Sequence, residues 1–79
     1  MMTNYQRRVV RPRPVFMHTS FTNAGLMIAT YSPDGVRRGD DLRDIYRLAD
    51  GWYWQDAMSQ FEPVGPFDTE AKALEEAFK

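Results

Sequence analysis

The sequence predicts an α+β domain: a mostly antiparallel sheet of about four strands with one C-terminal helix packed on one face. Three observations predict it. Asp50-Gly51 sits between two runs of β-branched and aromatic residues, which is among the strongest short-range hairpin signals. Two earlier runs, residues 15–21 and 26–31, have strand composition and are separated by turn residues. The C-terminal residues then switch to helical spacing behind a capping Asp-Thr pair.

Residues 1–14 read as a basic, proline-containing arm and residues 15–79 as a single α+β domain. Arg11-Pro12-Arg13-Pro14 cannot be helical, because each proline pushes its predecessor toward extended geometry. Residues 15–21 (VFMHTSF) read as a strand and Thr22-Asn23-Ala24-Gly25 as a turn. Residues 26–31 (LMIATY) are nearly continuously apolar and fit a central strand, with a short buried helix as the competitor. Ser32-Pro33-Asp34-Gly35 favours the strand, because Pro at the second position and Gly at the fourth mark a tight turn. A hairpin from there into Val36-Arg37-Arg38 is expected, followed by a polar break at Gly39-Asp40-Asp41.

Residues 44–49 and 52–55 form the second hairpin around Asp50-Gly51. A strict two-residue loop puts Ala49, Arg47 and Ile45 on the face of Trp52 and Trp54, and a longer loop moves that set to the other face. Residues 57–60 read as a loop. Residues 61–67 carry two prolines and make a short edge strand at best. Asp68 or Thr69 caps the helix, with Glu70 in its first turn. Phe67, Ala71, Leu74 and Phe78 recur at helical spacing, with Ala73 and Ala77 beside them, and Glu75 to Lys79 is an i,i+4 pair. So short a helix is marginal alone and must dock its Leu74 and Phe78 stripe on the sheet.

Composition bounds the function. With 79 residues, 43% of them hydrophobic, the chain makes one small core-forming domain rather than a disordered segment. There is no cysteine, so no disulfide and no thiolate metal site, which suits a reducing compartment. No apolar run follows Met1-Met2-Thr3-Asn4, so neither a signal peptide nor a membrane span is expected. The net charge of −1 hides an asymmetry: residues 1–39 carry +5 and residues 40–79 carry −6. Either the halves neutralise each other in the folded domain, or they leave a bipolar surface with a basic arm and an acidic face.

Catalytic and metal chemistry find little support. His18 is the single histidine, with no flanking acid, so nucleophilic triads have no basis and zinc lacks donors. Asp34, Asp40, Asp41 and Asp44 lack calcium-loop spacing and a closing Glu. No phosphate-binding glycine loop and no nucleophile elbow are found. Arg38-Gly39-Asp40 spells an adhesion tripeptide by coincidence. No cofactor and no enzymatic activity are expected.

Two features can carry binding. The arm, with Arg7, Arg8, Arg11 and Arg13, can contact nucleic-acid phosphates or enter a minor groove. It can equally be an edge segment whose Val9 and Val10 pack on the sheet. The aromatic cluster Tyr46, Trp52, Tyr53 and Trp54 cannot point one way along a strand, so at least one large ring faces away from the helix. That ring is either covered by the arm or anchors a protein partner. The expected partner-binding surface combines Arg11, Arg13, Arg37 or Arg38 with an outward member of this cluster, and the exposed helix side at Glu75 and Glu76 lies apart from it.

Asp50-Gly51-Trp52-Tyr53-Trp54, then Glu62-Pro63-Val64-Gly65-Pro66-Phe67, then Thr69 opening an Ala/Leu/Glu helix, resembles a class of small bacteriophage and prophage proteins. In that class a DGWYW hairpin precedes a GPF strand and a short helix. The resemblance covers residues 45–78 and implies no catalytic residue. It implies a phage or prophage accessory protein, acting in the host bacterial cytoplasm on a host protein such as transcription or defence machinery. Nucleic-acid binding through the arm is the alternative, and oligomeric state is left open.

Overall fold

The computed structural model describes residues 13–58 and 61–79. The order of elements is β1 (Val15–Phe21), β2 (Met27–Ser32), a 3-10 turn (Gly39–Asp41), β3 (Arg43–Leu48), β4 (Gly51–Asp56), β5 (Val64–Phe67) and α1 (Glu70–Ala77). The sheet has five strands in the order β1-β2-β3-β4-β5, every neighbouring pair antiparallel. The α+β class and the C-terminal helix are as expected, but the strand count is five rather than about four. The additional strand is β5. Pro63 and Pro66 weaken it as a ladder element, yet it still pairs Trp52 with Phe67 and Trp54 with Val64 at the sheet edge.

The expected return of the chain at Val36-Arg37-Arg38 does not occur, and β2 pairs with β3 instead. Side chains close the intervening loop on itself. The Ser32 hydroxyl donates to the Val36 carbonyl at 2.9 Å and accepts from the Gly35 amide at 3.0 Å. Asp34 accepts from the Val36 amide at 3.0 Å and from Arg38 at 2.9 Å. Backbone groups that a strand would offer to β2 are thus occupied locally.

The second hairpin has a two-residue loop, but its members are Ala49 and Asp50, because Gly51 already pairs with Leu48. Arg47 lies opposite Trp52 and Ile45 opposite Trp54, so these four share a face as a strict two-residue loop requires. Gly51 has a φ of +145°, and a β-carbon there would lie 2.8 Å from the Phe67 carbonyl oxygen and from Pro66. Glycine is therefore needed to let β5 approach as well as to complete the turn.

The helix docks on that face, over β3, β4 and β5. Thr69 is its N-cap, its hydroxyl accepting from the Lys72 amide at 3.1 Å. The core is Ile45, Ala73 and Ala77, at 1%, 0% and 6% exposure, flanked by Tyr31, Trp52, Trp54, Phe67, Leu74 and Phe78. The two alanines, and not Leu74 and Phe78, thus lie deepest. Two tryptophans fill the space above the sheet, so only small residues fit between them and the helix axis. Ala71 is exposed, outside the stripe expected of it. Lys79 pairs with Glu76 at 2.9 Å, and Lys72 with Glu75 and Glu76 at 3.4 Å, in place of the expected Glu75–Lys79 pair.

Candidate protein-binding face

One helix cannot cover both faces of the sheet, and strand alternation decides which side chains remain. The pairs His18–Thr30, Thr30–Asp44 and Asp44–Gln55 run as one row across the helix-free face, and Tyr46–Tyr53 is a neighbouring row on it. No described helix lies over this face.

The row is polar and internally bonded. Thr30 donates to Asp44 at 2.6 Å. Arg37 reaches in from the β2–β3 loop, with Nη2 3.2 Å from His18 Nδ1. A guanidinium only donates, so this contact uses the Nδ1 lone pair. Arg38, by contrast, is held by Asp34 at 2.9 Å and Asp41 at 3.7 Å. Of the two adjacent arginines, Arg37 is exposed and outside any ion pair among the described residues.

Tyr46 and Tyr53 stack with ring centroids 5.9 Å apart and planes 11° from parallel. The Tyr53 hydroxyl donates to the Asp50 carboxylate at 2.8 Å. That hydrogen bond, then burial, raises the Tyr53 phenol pKa above its ordinary value. Burial, then the Asp44 charge, raises Tyr46, and burial, then Glu70, raises Tyr31 on the other face. The neutral phenols are the folded form. Their contribution to stability is complete below the unfolded tyrosine pKa of about 10 and is lost as pH rises through the higher folded values. A titration of phenolate absorbance is expected to show these three tyrosines ionising above free tyrosine. Ionisation of all three at the free value would contradict the packing described.

The residues expected at the binding surface divide between locations. Arg7, Arg8 and Arg11 lie outside the described residues. Arg13 is exposed directly before β1. Arg37, Tyr46 and Tyr53 share the helix-free face, with Tyr46 at 9% exposure beneath its neighbours. Trp52 and Trp54 lie on the opposite face under the helix. Their cationic neighbours are Arg47, 6.0 Å from the Trp52 ring centroid, and Arg43, 5.9 Å from that of Trp54 and 5.8 Å from that of Phe78. The sequence reading singled out neither Arg43 nor Arg47 as stacking partners. The alternation Arg43, Ile45, Arg47 opposite Trp54 and Trp52 was the signal that could have found them.

Comparison with family models, curated proteins and solved structures finds no match. A concavity partly open to solvent lies at the β3–β4 turn, lined among others by Arg47, Asp50, Trp52, Phe67 and Asp68. One of its carboxylates, Asp50, is already engaged by Tyr53. No three metal-ligating side chains cluster among the described residues, and no described helix is long and apolar enough to cross a membrane.

Proposed function

We propose that this domain is a non-catalytic binding protein that engages a protein partner through its helix-free sheet face. One observation carries the reading: Arg37, free of any ion pair among the described residues, lies on the same face as the Tyr46–Tyr53 stack. Arginine and tyrosine are enriched among side chains that dominate binding energy. Leu48, exposed on the same face, adds apolar surface beside them. The fitting partner offers a carboxylate to the Arg37 guanidinium and an apolar contact to Tyr53 and Leu48. The resemblance to phage and prophage proteins supports a host protein in the bacterial cytoplasm, of the transcription or defence machinery, whose activity the domain inhibits.

The test is affinity capture from host lysates by the full chain, followed by variants against the captured protein. Arg37→Glu and Tyr53→Ala are expected to weaken capture at least tenfold, and the pair Glu75→Lys and Glu76→Lys to leave it intact. The reverse pattern, with all variants folded, would place the interface on the acidic helix and overturn the reading. So would the lack of any stoichiometric partner across several hosts. Steeply salt-dependent binding to DNA or RNA, lost when Arg7, Arg8, Arg11 and Arg13 become alanine, would replace it with nucleic-acid recognition.

A further inference from the structure

The two edges of the sheet are unlike. The β5 edge is four residues long, and Pro66 within it and Pro63 just before it have no amide hydrogen to offer. The β1 edge is seven residues long and contains no proline, lysine, arginine, aspartate or glutamate. A bulge between Phe16 and His18 interrupts it, and His18–Phe21 beyond the bulge is regular. The direction of its amides follows from one bond. The Thr22 amide donates to the Leu26 carbonyl at 2.9 Å, which marks that pair as bonded toward β2. Antiparallel ladders alternate, so the amides and carbonyls of Thr19 and Phe21 point away from β2, along the edge that no described strand pairs.

The same hairpin leaves apolar surface uncovered. Phe16, Phe21 and Met27 are 52%, 67% and 55% exposed, and strand parity puts them on one face, beside the helix rather than under it. With Val15 at 41%, and about 200 Å² for each aromatic side chain, these residues leave on the order of 400 Å² of apolar surface on each chain.

We propose that β1 pairs antiparallel with β1 of a second copy of this chain, forming a closed two-fold dimer. Three features favour a second copy as the occupant. The strand itself has no lysine, arginine, aspartate or glutamate, so no such charges face each other within the ladder of a two-fold pair. Phe16 and Phe21 project from one face of the edge strand, so pairing gives each copy's apolar side chains cross-strand neighbours on the other copy. The opposite edge carries prolines, so pairing stops at two copies and gives a closed dimer rather than a filament. Antiparallel edge pairing places the two-fold axis normal to the sheet. It joins two five-stranded sheets into one of ten strands, with both helices on one side and both helix-free faces on the other. A partner protein would then meet two copies of the Arg37 and Tyr53 surface in one plane.

The chain has no cysteine, so introduced cysteines report contacts without background. The full chain is expected to sediment as a dimer at micromolar concentration. Thr19→Pro removes an outward amide and leaves the bonds to β2, so this variant is expected to be monomeric with the circular dichroism of the folded domain. Under mild oxidation Ser20→Cys is expected to form covalent dimers, and Val64→Cys on the opposite edge to stay monomeric. A wild-type chain that remains monomeric to millimolar concentration overturns the proposal. So do dimers that persist in the folded Thr19→Pro variant or cross-link through Val64→Cys. Dimerisation only after deletion of residues 1–12 would show that this chain's own N-terminal segment occupies the edge, and overturns it too. Should Thr19→Pro fail to fold, the cysteine pair decides alone.

Discussion

Ile45→Ala is expected to remove about 3–4 kcal/mol of stability, the usual cost of truncating a fully buried isoleucine. Ile45 is 1% exposed, on a central strand between the two tryptophans and the two buried helix alanines. The surrounding rings belong to different elements, so they cannot close together over the missing atoms without moving the helix. A chain of this length has about 4–12 kcal/mol in total. The loss is therefore about a quarter of the margin or more. A urea titration should show the midpoint falling by about 2–4 M for a slope near 1–1.5 kcal/mol/M. Ile45→Val, which removes one methyl, should cost about 1 kcal/mol. An unchanged midpoint in Ile45→Ala would mean that the helix does not depend on this residue for its seat.

Gly65→Ala is expected to have the next largest effect. Gly65 has a φ of +156°, and a β-carbon there would stand 2.6 Å from the Trp52 carbonyl oxygen and 2.7 Å from the Tyr53 ring. The first obstacle is backbone and cannot rotate away. Strain and overlap together should cost about 2–4 kcal/mol. In a domain of this size that lowers Tm by roughly 10–30 °C. Gly25→Ala is the matched comparison, since Gly25 also has a positive φ, +86°, but nothing within 4 Å of the added carbon. It should cost only about 1 kcal/mol. Equal losses in the two variants would show that backbone strain alone, and not the approach of β5, sets the requirement for glycine at residue 65.

Much of this architecture was legible because local chemistry and tertiary structure agree. The bounds of β1 coincide with its run of β-branched and aromatic residues, and Thr69 caps the helix where its hydroxyl meets a free amide. The β2–β3 connection was not legible. A Pro-Asp-Gly turn predicts a reversal, but whether the chain then pairs depends on the reach of Ser32 and Asp34 side chains. The depth of Ala73 and Ala77 was hidden for another reason. Leucine and phenylalanine are read as core because they are large, while the two tryptophans of β4 take that volume. At the candidate site, strand alternation separates Tyr53 from Trp52 and Trp54, but the sequence leaves open which of the two sets faces the helix. The placement of Arg37 on His18 depends on loop geometry that no periodicity encodes.

Every strand of the sheet lies beside its neighbour in sequence. The connections between consecutive strands are five, ten, two and seven residues long. Each doubling of loop length adds only about 0.6 kcal/mol of closure entropy. The sheet can therefore assemble by successive local hairpins, with no strand waiting for a distant partner. Hairpin pairing keeps these contacts more local than crossover connections would. The helix is the exception, because it follows all five strands and rests on two that pair long before it in sequence. β3 and β4 can zip together before the segment that covers their tryptophans docks. Until it does, the forming sheet holds Ile45, Trp52 and Trp54 in water, and that interval is when the chain is most open to chaperone capture or to mispairing with its neighbours.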